Sequence, residues 1–450
     1  MTAIPRRRRR RTVVGAVSAV LLVVAAGAMF VIGVITLSNS QEGEAVGVDE
    51  RPRVRFPATP NAVLAVTDER GRLASLVVTT LLPEGQGGSI VTMPVDSDVS
   101  GGFGDERVPI DQAFAADDLD GLMSSVEQML SISVQQGAIV DAAGLEAMLP
   151  EADAARLVLP DDVIDTRGGG GVIVTAGAQT LTRDEMVSVL VAVDDDAALD
   201  ASHSNDVAVW ESLAETAPVA IPPEPVPVDA AGDPVAPDSV DELVARLWQG
   251  DVTVRDLLTK PVPASENPKS LDAVLIDRSD ANLVFAQVSP GLVSTPNTGL
   301  KARVVANFTD EQLATADGLY ENTSDLAVEF IGRLVFLSGN VVSVDTAPTG
   351  APDVTIVEVS DESQMEETLA AADALLGEVE IRVAETVIEG VDVQVILGMS
   401  YLERELERGS GPVAPTVTTS DESVPASTDG TNPTGSTTST DVPGTVGADE

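Results

Sequence analysis

Residues 61–80 read NAVLAVTDERGRLASLVVTT and residues 89–100 read SIVTMPVDSDVS, and these two stretches decide the fold. Within them NAVLAVTD, LASLVVTTLL and GSIVTMPV are apolar, β-branched runs bounded by turn residues. That is the pattern of buried strands. The third run ends at Pro94, and Val95 then stands before Asp96. Polar groups just past a strand end are common at sites in α/β proteins. An aliphatic side chain in that place poses a choice between a catalytic turn without its key residue and an ordinary strand end.

Helical patterns follow the strands. DDLDGLMSSVEQML carries apolar residues at Leu119, Leu122, Met123, Val126, Met129 and Leu130, the spacing of one helical face. AARLVLP and GVIVTAG return to strand. LTRDEMVSVLVAV follows, with Thr182 and Glu185 spaced as a capping box. The alternation predicts an α/β domain over residues 61–216, its helices covering a sheet.

Residues 217–238 are proline-rich and read as a semi-rigid linker. A second region, 239–407, opens with a helix at SVDELVARLWQG, capped by Ser239 and Glu242 and closed by Gly250. LDAVLIDR, LVFAQVS and KARVVANF read as strands. A helix near 323–337, strand DVTIVEVS, a helix at SQMEETLAAADALLG with a Ser363/Glu366 box and a Gly377 stop, and strand VDVQVILG complete a small α/β domain. Residues 408–450 are Ser, Thr, Pro, Gly and Asp with few large apolar groups, a composition that predicts disorder.

The N-terminus carries a different signal. Residues 12–37 hold no charge, long enough at 1.5 Å per residue to cross a hydrocarbon core of about 30 Å. Arg6 to Arg11 precede this span and acidic residues follow from Glu42. The expectation is a cytoplasmic basic segment 1–11, a transmembrane helix 12–37, a polar stalk 38–60 and the bulk of the chain outside the cell. A cleaved signal peptide is the alternative, though its apolar region is usually about 7–15 residues.

The 450 residues include 72 acidic, 26 basic, one histidine and no cysteine. A net charge of −46 opposes nucleic-acid binding. Without cysteine there is no disulfide framework, thiolate nucleophile or Cys-ligated zinc site. RGGGGV, from Arg167, lacks the Lys-Ser/Thr of a phosphate loop and precedes a strand, so it reads as a flexible loop. His203, between Ser202 and Ser204, reads as a solvent-exposed loop histidine. Residues 194–196, DDD, lack calcium-loop spacing and read as a solvated acidic loop.

The order of segments from 61 to 216 resembles the extracellular domain of the LytR-CpsA-Psr family. The opening strand with its Gly-x-Asp-x-Arg turn is similar to NAVLAVTDERGR. The second strand and the Ser-Ile-Pro-Arg-Asp-Thr turn are similar to LASLVVTT and SIVTMPVDSDVS. SVEQMLSISVQQGAIVDAAGLEAML and VTAGAQTLTRDEMVSVLVAV resemble the later helix–strand units. Residues 300–402, through VVANFTDEQL, DVTIVEV, ADALLG and VDVQVILGMSYL, resemble the LytR C-terminal domain appended in actinobacterial members.

The resemblance implies membrane-anchored transfer of polyprenyl-pyrophosphate-linked glycopolymer onto peptidoglycan, with guanidinium groups holding phosphates and carboxylates holding Mg²⁺. Asp68 and Arg70 match the first turn, Asp68 as the one candidate metal ligand, and Asp96 matches the Asp of the later turn. Ala74 stands where the second strand has an Asp, and Val95 where the strand end has an Arg. VAVDDD, residues 191–196, replaces an Arg-x-Arg, and SHSND replaces a further Arg. At ~4 Å and an effective dielectric near 20 each such charge contact is worth roughly 4 kcal/mol. The expectation is therefore a pseudoenzyme with no catalytic residues beyond the remnants Arg70 and Asp96 and no cofactor. Its role would be binding or scaffolding in cell-wall assembly, with a polyprenyl-phosphate lipid, a cell-wall glycopolymer or envelope proteins as partners. The alternatives are an active, Mg²⁺-dependent phosphotransferase using other residues, and an envelope-linked regulator.

Overall fold

Strands β1 (Asn61–Thr67), β2 (Leu73–Leu81), β3 (Gly88–Met93), β4 (Gln136–Val140) and β5 (Val252–Asp256) form one mixed sheet. Their order is β5–β3–β2–β1–β4. β2 is antiparallel to β1 and β3, whereas β4 is parallel to β1 and β5 parallel to β3. β1, β3, β4 and β5 therefore end on one edge, where β2 begins. This computed structural model describes residues 51–100, 107–150, 154–166, 170–194, 199–220, 224–230, 232–295, 299–316 and 318–410. The expected basic segment and transmembrane span, residues 38–50 of the expected stalk, residues 411–450 of the expected tail, 167–169 and 195–196 lie outside them, while residues 408–410, expected to be disordered, close a helix, Met399–Ser410. Among the described residues no helix is long and apolar enough to cross a membrane.

Every residue of β1, β2 and β3 is buried. The two-residue alternation of a strand explains why: Ala62, Leu64 and Val66 enter one apolar cluster, Val63 and Ala65 the cluster on the other face. The main helices covering these faces are α1 (Leu119–Leu130), α2 (Ala142–Met148), α3 (Arg183–Leu190), α4 (Leu199–Ala220), α5 (Val240–Leu247) and α6 (Arg278–Val288). α2 to α5 pack on one face through Leu145, Leu190, Trp210 and Leu243. α1 and α6 pack on the other through Val126 and Phe285.

A second sheet holds β6 (Lys301–Val305), β7 (Asn340–Asp345), β8 (Thr355–Val359), β9 (Val379–Val383) and β10 (Val393–Ile396). The order is β7–β6–β10–β8–β9, with only the β8–β10 pair antiparallel. Helices α7 (Thr323–Phe336) and α8 (Met365–Leu375) accompany it. α6 serves both sheets, since its Leu283 and Ala286 enter the second sheet's cluster while Ala281, Val284 and Phe285 enter the first.

Several local expectations meet a different structure. The Thr182/Glu185 capping box forms with both halves in place. The Ser363/Glu366 box gives way to a reciprocal Asp361–Gln364 pair two residues earlier. LVFAQVS lies inside α6, a helix capped by Asp277 through the Ser279 and Asp280 N–H groups. Its short apolar run fits a buried helix as well as a strand, and burial from both sides makes it uniformly apolar. AARLVLP and GVIVTAG supply two-stranded ribbons outside the main sheet.

The proline-rich stretch does not separate the two sheets. Beyond it, α5 buries Leu243 and Leu247 in the first core, and β5 extends the first sheet beside β3. Gly250, expected to stop the helix, serves a close backbone approach: a Cβ there would lie 2.8 Å from the Gly87 nitrogen. The end of the expected stalk is likewise built in. Arg53–Val54 pairs in parallel with Val387–Ile388, and Arg51 donates to the carbonyls of Ala384 (2.9 Å) and Ser360 (2.7 Å).

Candidate functional site

The edge where β1, β3, β4 and β5 end collects the matched positions, as the sheet topology of α/β proteins dictates. Asp68 follows β1 directly, and its side chain is fully buried. One carboxylate oxygen accepts the N–H groups of Arg70 (2.8 Å) and Arg72 (2.9 Å). The other accepts Nε of Arg72 at 2.8 Å. Burial opposes ionisation of Asp68, but these hydrogen bonds and the Arg72 charge outweigh it and hold the carboxyl below its ordinary range. The guanidinium paired with Asp68 is thus that of Arg72, while Arg70 is exposed. Asp68 closes the turn between β1 and β2.

The turn after β3 is also a structural unit. Val95 is 6% exposed and packs in the apolar cluster with Met93, Ile110 and Leu122. Asp96 is 1% exposed, and its carbonyl accepts the Val274 N–H at 3.1 Å. Ser97 donates its hydroxyl to the Pro94 carbonyl at 2.7 Å. Asp98 accepts the Val108 N–H (3.1 Å) and Nη1 of the buried Arg107 (3.2 Å), whose Nη2 reaches Glu266. Ala74 and Val191 are buried apolar groups. The strand-end turn is an ordinary one, closed by its own backbone and by Asp98.

A second polar group lies at the same edge, on the face covered by α4. His203 is no exposed loop residue: it sits in α4, 9% exposed, with Nε2 2.7 Å from Oδ1 of Asp256 at the end of β5. The Thr92 hydroxyl donates to the same oxygen at 3.1 Å. Burial resists the charge on Asp256, but His203, Thr92 and the Leu257 N–H prevail and lower it. One turn along α4, Asp206 is buried beneath the helix. Burial pushes its carboxyl well above the ordinary range, and a hydrogen bond from Ser75 offsets this only in part. Asp280 on α6 is raised as well, by burial and by the charges of Asp277 and Asp256 against the Leu258 N–H.

Sequence reasoning missed this group, although the signal was present. His203, Asp206, Trp210 and Leu213 recur at helical spacing. The polar residues continue an apolar stripe that Val209, Trp210 and Leu213 bury.

Chemically the edge is acidic, with the guanidinium groups of half-buried Arg72 and buried Arg107 engaged by carboxylates. The residues do not fit the magnesium ion that the resemblance implies. Both oxygens of Asp68 are committed to the turn, and Ala74 offers no donor. Among the described residues no group of three or more His, Asp or Glu side chains could hold a metal. The arrangement favours a protonated carboxyl at Asp206 and joins His203 to Asp256 by a hydrogen bond.

No protein-family model matches the chain, and no curated protein matches it. Solved structures do. TagV of Bacillus subtilis is 14% identical, with a TM-score of 0.37 over 54% of this chain and 100% of its own. TagT bound to LIIa-WTA is 15% identical, with a TM-score of 0.36 over 50% and 88%. Lin1025 of Listeria innocua is 16% identical, with a TM-score of 0.31 over 50% and 96%.

Proposed function

We propose that this chain is a LytR-CpsA-Psr-like protein of the cell envelope that binds its ligand without transferring it. Residues 12–37 anchor it in the membrane with the N-terminus in the cytoplasm and the bulk outside, and residues 300–402 are its LytR C-terminal-like domain. The ordered resemblance of the segments from 61 to 216 supports the family. One observation carries the loss of catalysis: where the resemblance asks for phosphate-holding cations and a metal carboxylate, the sheet edge has Val95 packed in the core, Ala74, and an Asp68 consumed by Arg72. An anionic diphosphate brought to this acidic edge meets repulsion in place of a clamp. A polyprenyl-phosphate lipid, a cell-wall glycopolymer or an envelope protein then engages other surfaces.

The test is transfer of a polyprenyl-pyrophosphate glycan to peptidoglycan fragments with Mg²⁺, beside an active enzyme of the family. No turnover is expected, and Val95→Arg alone does not restore it, because Ala74 and residues 191–196 remain. Turnover within about tenfold of that enzyme, a barrier difference of about 1.4 kcal/mol, abolished by Asp68→Ala or Asp96→Ala, would refute this reading. For the anchor, reporters fused to Glu450 are expected to report an extracellular C-terminus. Activity of a cytoplasm-only reporter there would overturn it.

A further inference from the structure

The second sheet holds a cavity that neither the resemblance nor the sheet edge uses. It opens between β6, α7, α8 and β10 and encloses about 180 Å³. Leu300, Phe330, Leu334, Leu376, Val393 and Val395 form its apolar wall, and among the described residues no charged side chain lines it. Phe330 packs edge-on against Tyr401, with ring centroids 5.6 Å apart at 78°. The mouth lies at the turn Leu337–Gly339, where Leu337 is 53% exposed and Ser338 takes a left-handed φ of 63°. Gly299 completes it: a Cβ there would meet the Ser338 carbonyl oxygen at 2.1 Å.

One polar group departs from this apolar lining. Thr368 lines the cavity and is 5% exposed, and its hydroxyl oxygen has no hydrogen-bond partner among the described residues. A buried hydroxyl without a partner is costly and rare in native structures. An engineered apolar cavity of about 150 Å³ takes benzene, so this one has room for a ring or short alkyl group with a polar substituent.

We propose that this cavity is a binding site for a neutral apolar group, a short alkyl chain or ring, that carries one oxygen to pair with Thr368. The apolar lining excludes a charged head inside it, and the open mouth lets a larger ligand continue into solvent. The site belongs to the second sheet and stands whether or not the first sheet is catalytic.

The probe is a diazirine derivative of hexanol, photolysed with the full-length protein in lipid nanodiscs, with labelled peptides mapped by mass spectrometry. Saturable labelling is expected within 334–341 and 368–376. Ala372→Leu and, separately, Ala302→Val fill the cavity and should abolish it, with folding checked by thermal melting. Thr368→Val keeps the volume and removes the hydroxyl. It should weaken the alcohol about tenfold, leave a diazirine alkane of equal length unaffected, and raise the melting temperature of the ligand-free protein. Labelling that does not saturate, or that persists in a folded cavity-filling variant, would overturn the site. Equal alcohol affinity in Thr368→Val would overturn the role of the hydroxyl.

Discussion

Asp206 and Asp68 lie at the same sheet edge and respond to pH with opposite signs. Asp68 and Asp256 ionise more readily in the folded chain, so their stabilisation is present above the ordinary carboxylate range and is lost as pH falls through their lowered values. Asp206 is raised, so its contribution is complete below that range and is lost as pH rises through its folded value. Asp206→Asn removes this second loss alone. The difference in unfolding free energy between variant and parent should grow in the variant's favour from about pH 4 upward. Urea melts of both proteins across the acid-to-neutral range check this, because contributions from Asp68 and Asp256 cancel in the difference. A pH-independent difference would show that Asp206 ionises in the folded chain as readily as in the unfolded one, and would overturn its raised value. Val95 makes the complementary point. Its identity excluded a cation from the strand end, but only its burial with Met93, Ile110 and Leu122 shows that the side chain belongs to the core.

Among elements, α5 and β5 carry the main departure from the sequence reading. Leu243 is fully buried, so Leu243→Ala should cost about 2–5 kcal/mol through lost burial and a cavity. Amide exchange in β1 and β3 should then quicken, with β8 in the second sheet little affected. The opposite order of response would assign α5 to the second sheet. The strands β1 to β3 were legible because burial on both faces leaves unbroken β-branched runs. The helices α1 and α3 were legible through periodicity and the Thr182/Glu185 box. The destination of α5 was not, since its amphipathic pattern states that one face is buried but never against which neighbour. The prolines suggested a boundary, yet such a stretch can equally be a surface excursion between parts of one core. The site was half legible. The missing cations could be read from residue identity, whereas the His203–Asp256 pair joins residues 53 positions apart and depends on tertiary packing.

For the whole molecule, this connectivity changes the effect of a cut at the proline-rich stretch. Contacts hold the described residues through Leu406 in one unit, and α5 and β5 tie the chain after the prolines to the strands before them. A protease site placed within 224–230 and cleaved should leave two fragments that co-elute from a sizing column and part only in denaturant. Separation in plain buffer would mean that the first sheet cannot hold β5 without the covalent link. The pairing of Arg53–Val54 with Val387–Ile388 has a mechanical consequence. A pull arriving along the backbone from before Arg51 loads the two Arg51 hydrogen bonds, a ladder of two residues and the exposed Arg55–Glu389 ion pair before it reaches β1. That short ladder is a fuse: it yields while both sheets stay intact, and the eight residues 51–58 can then extend to span at most roughly 26–29 Å.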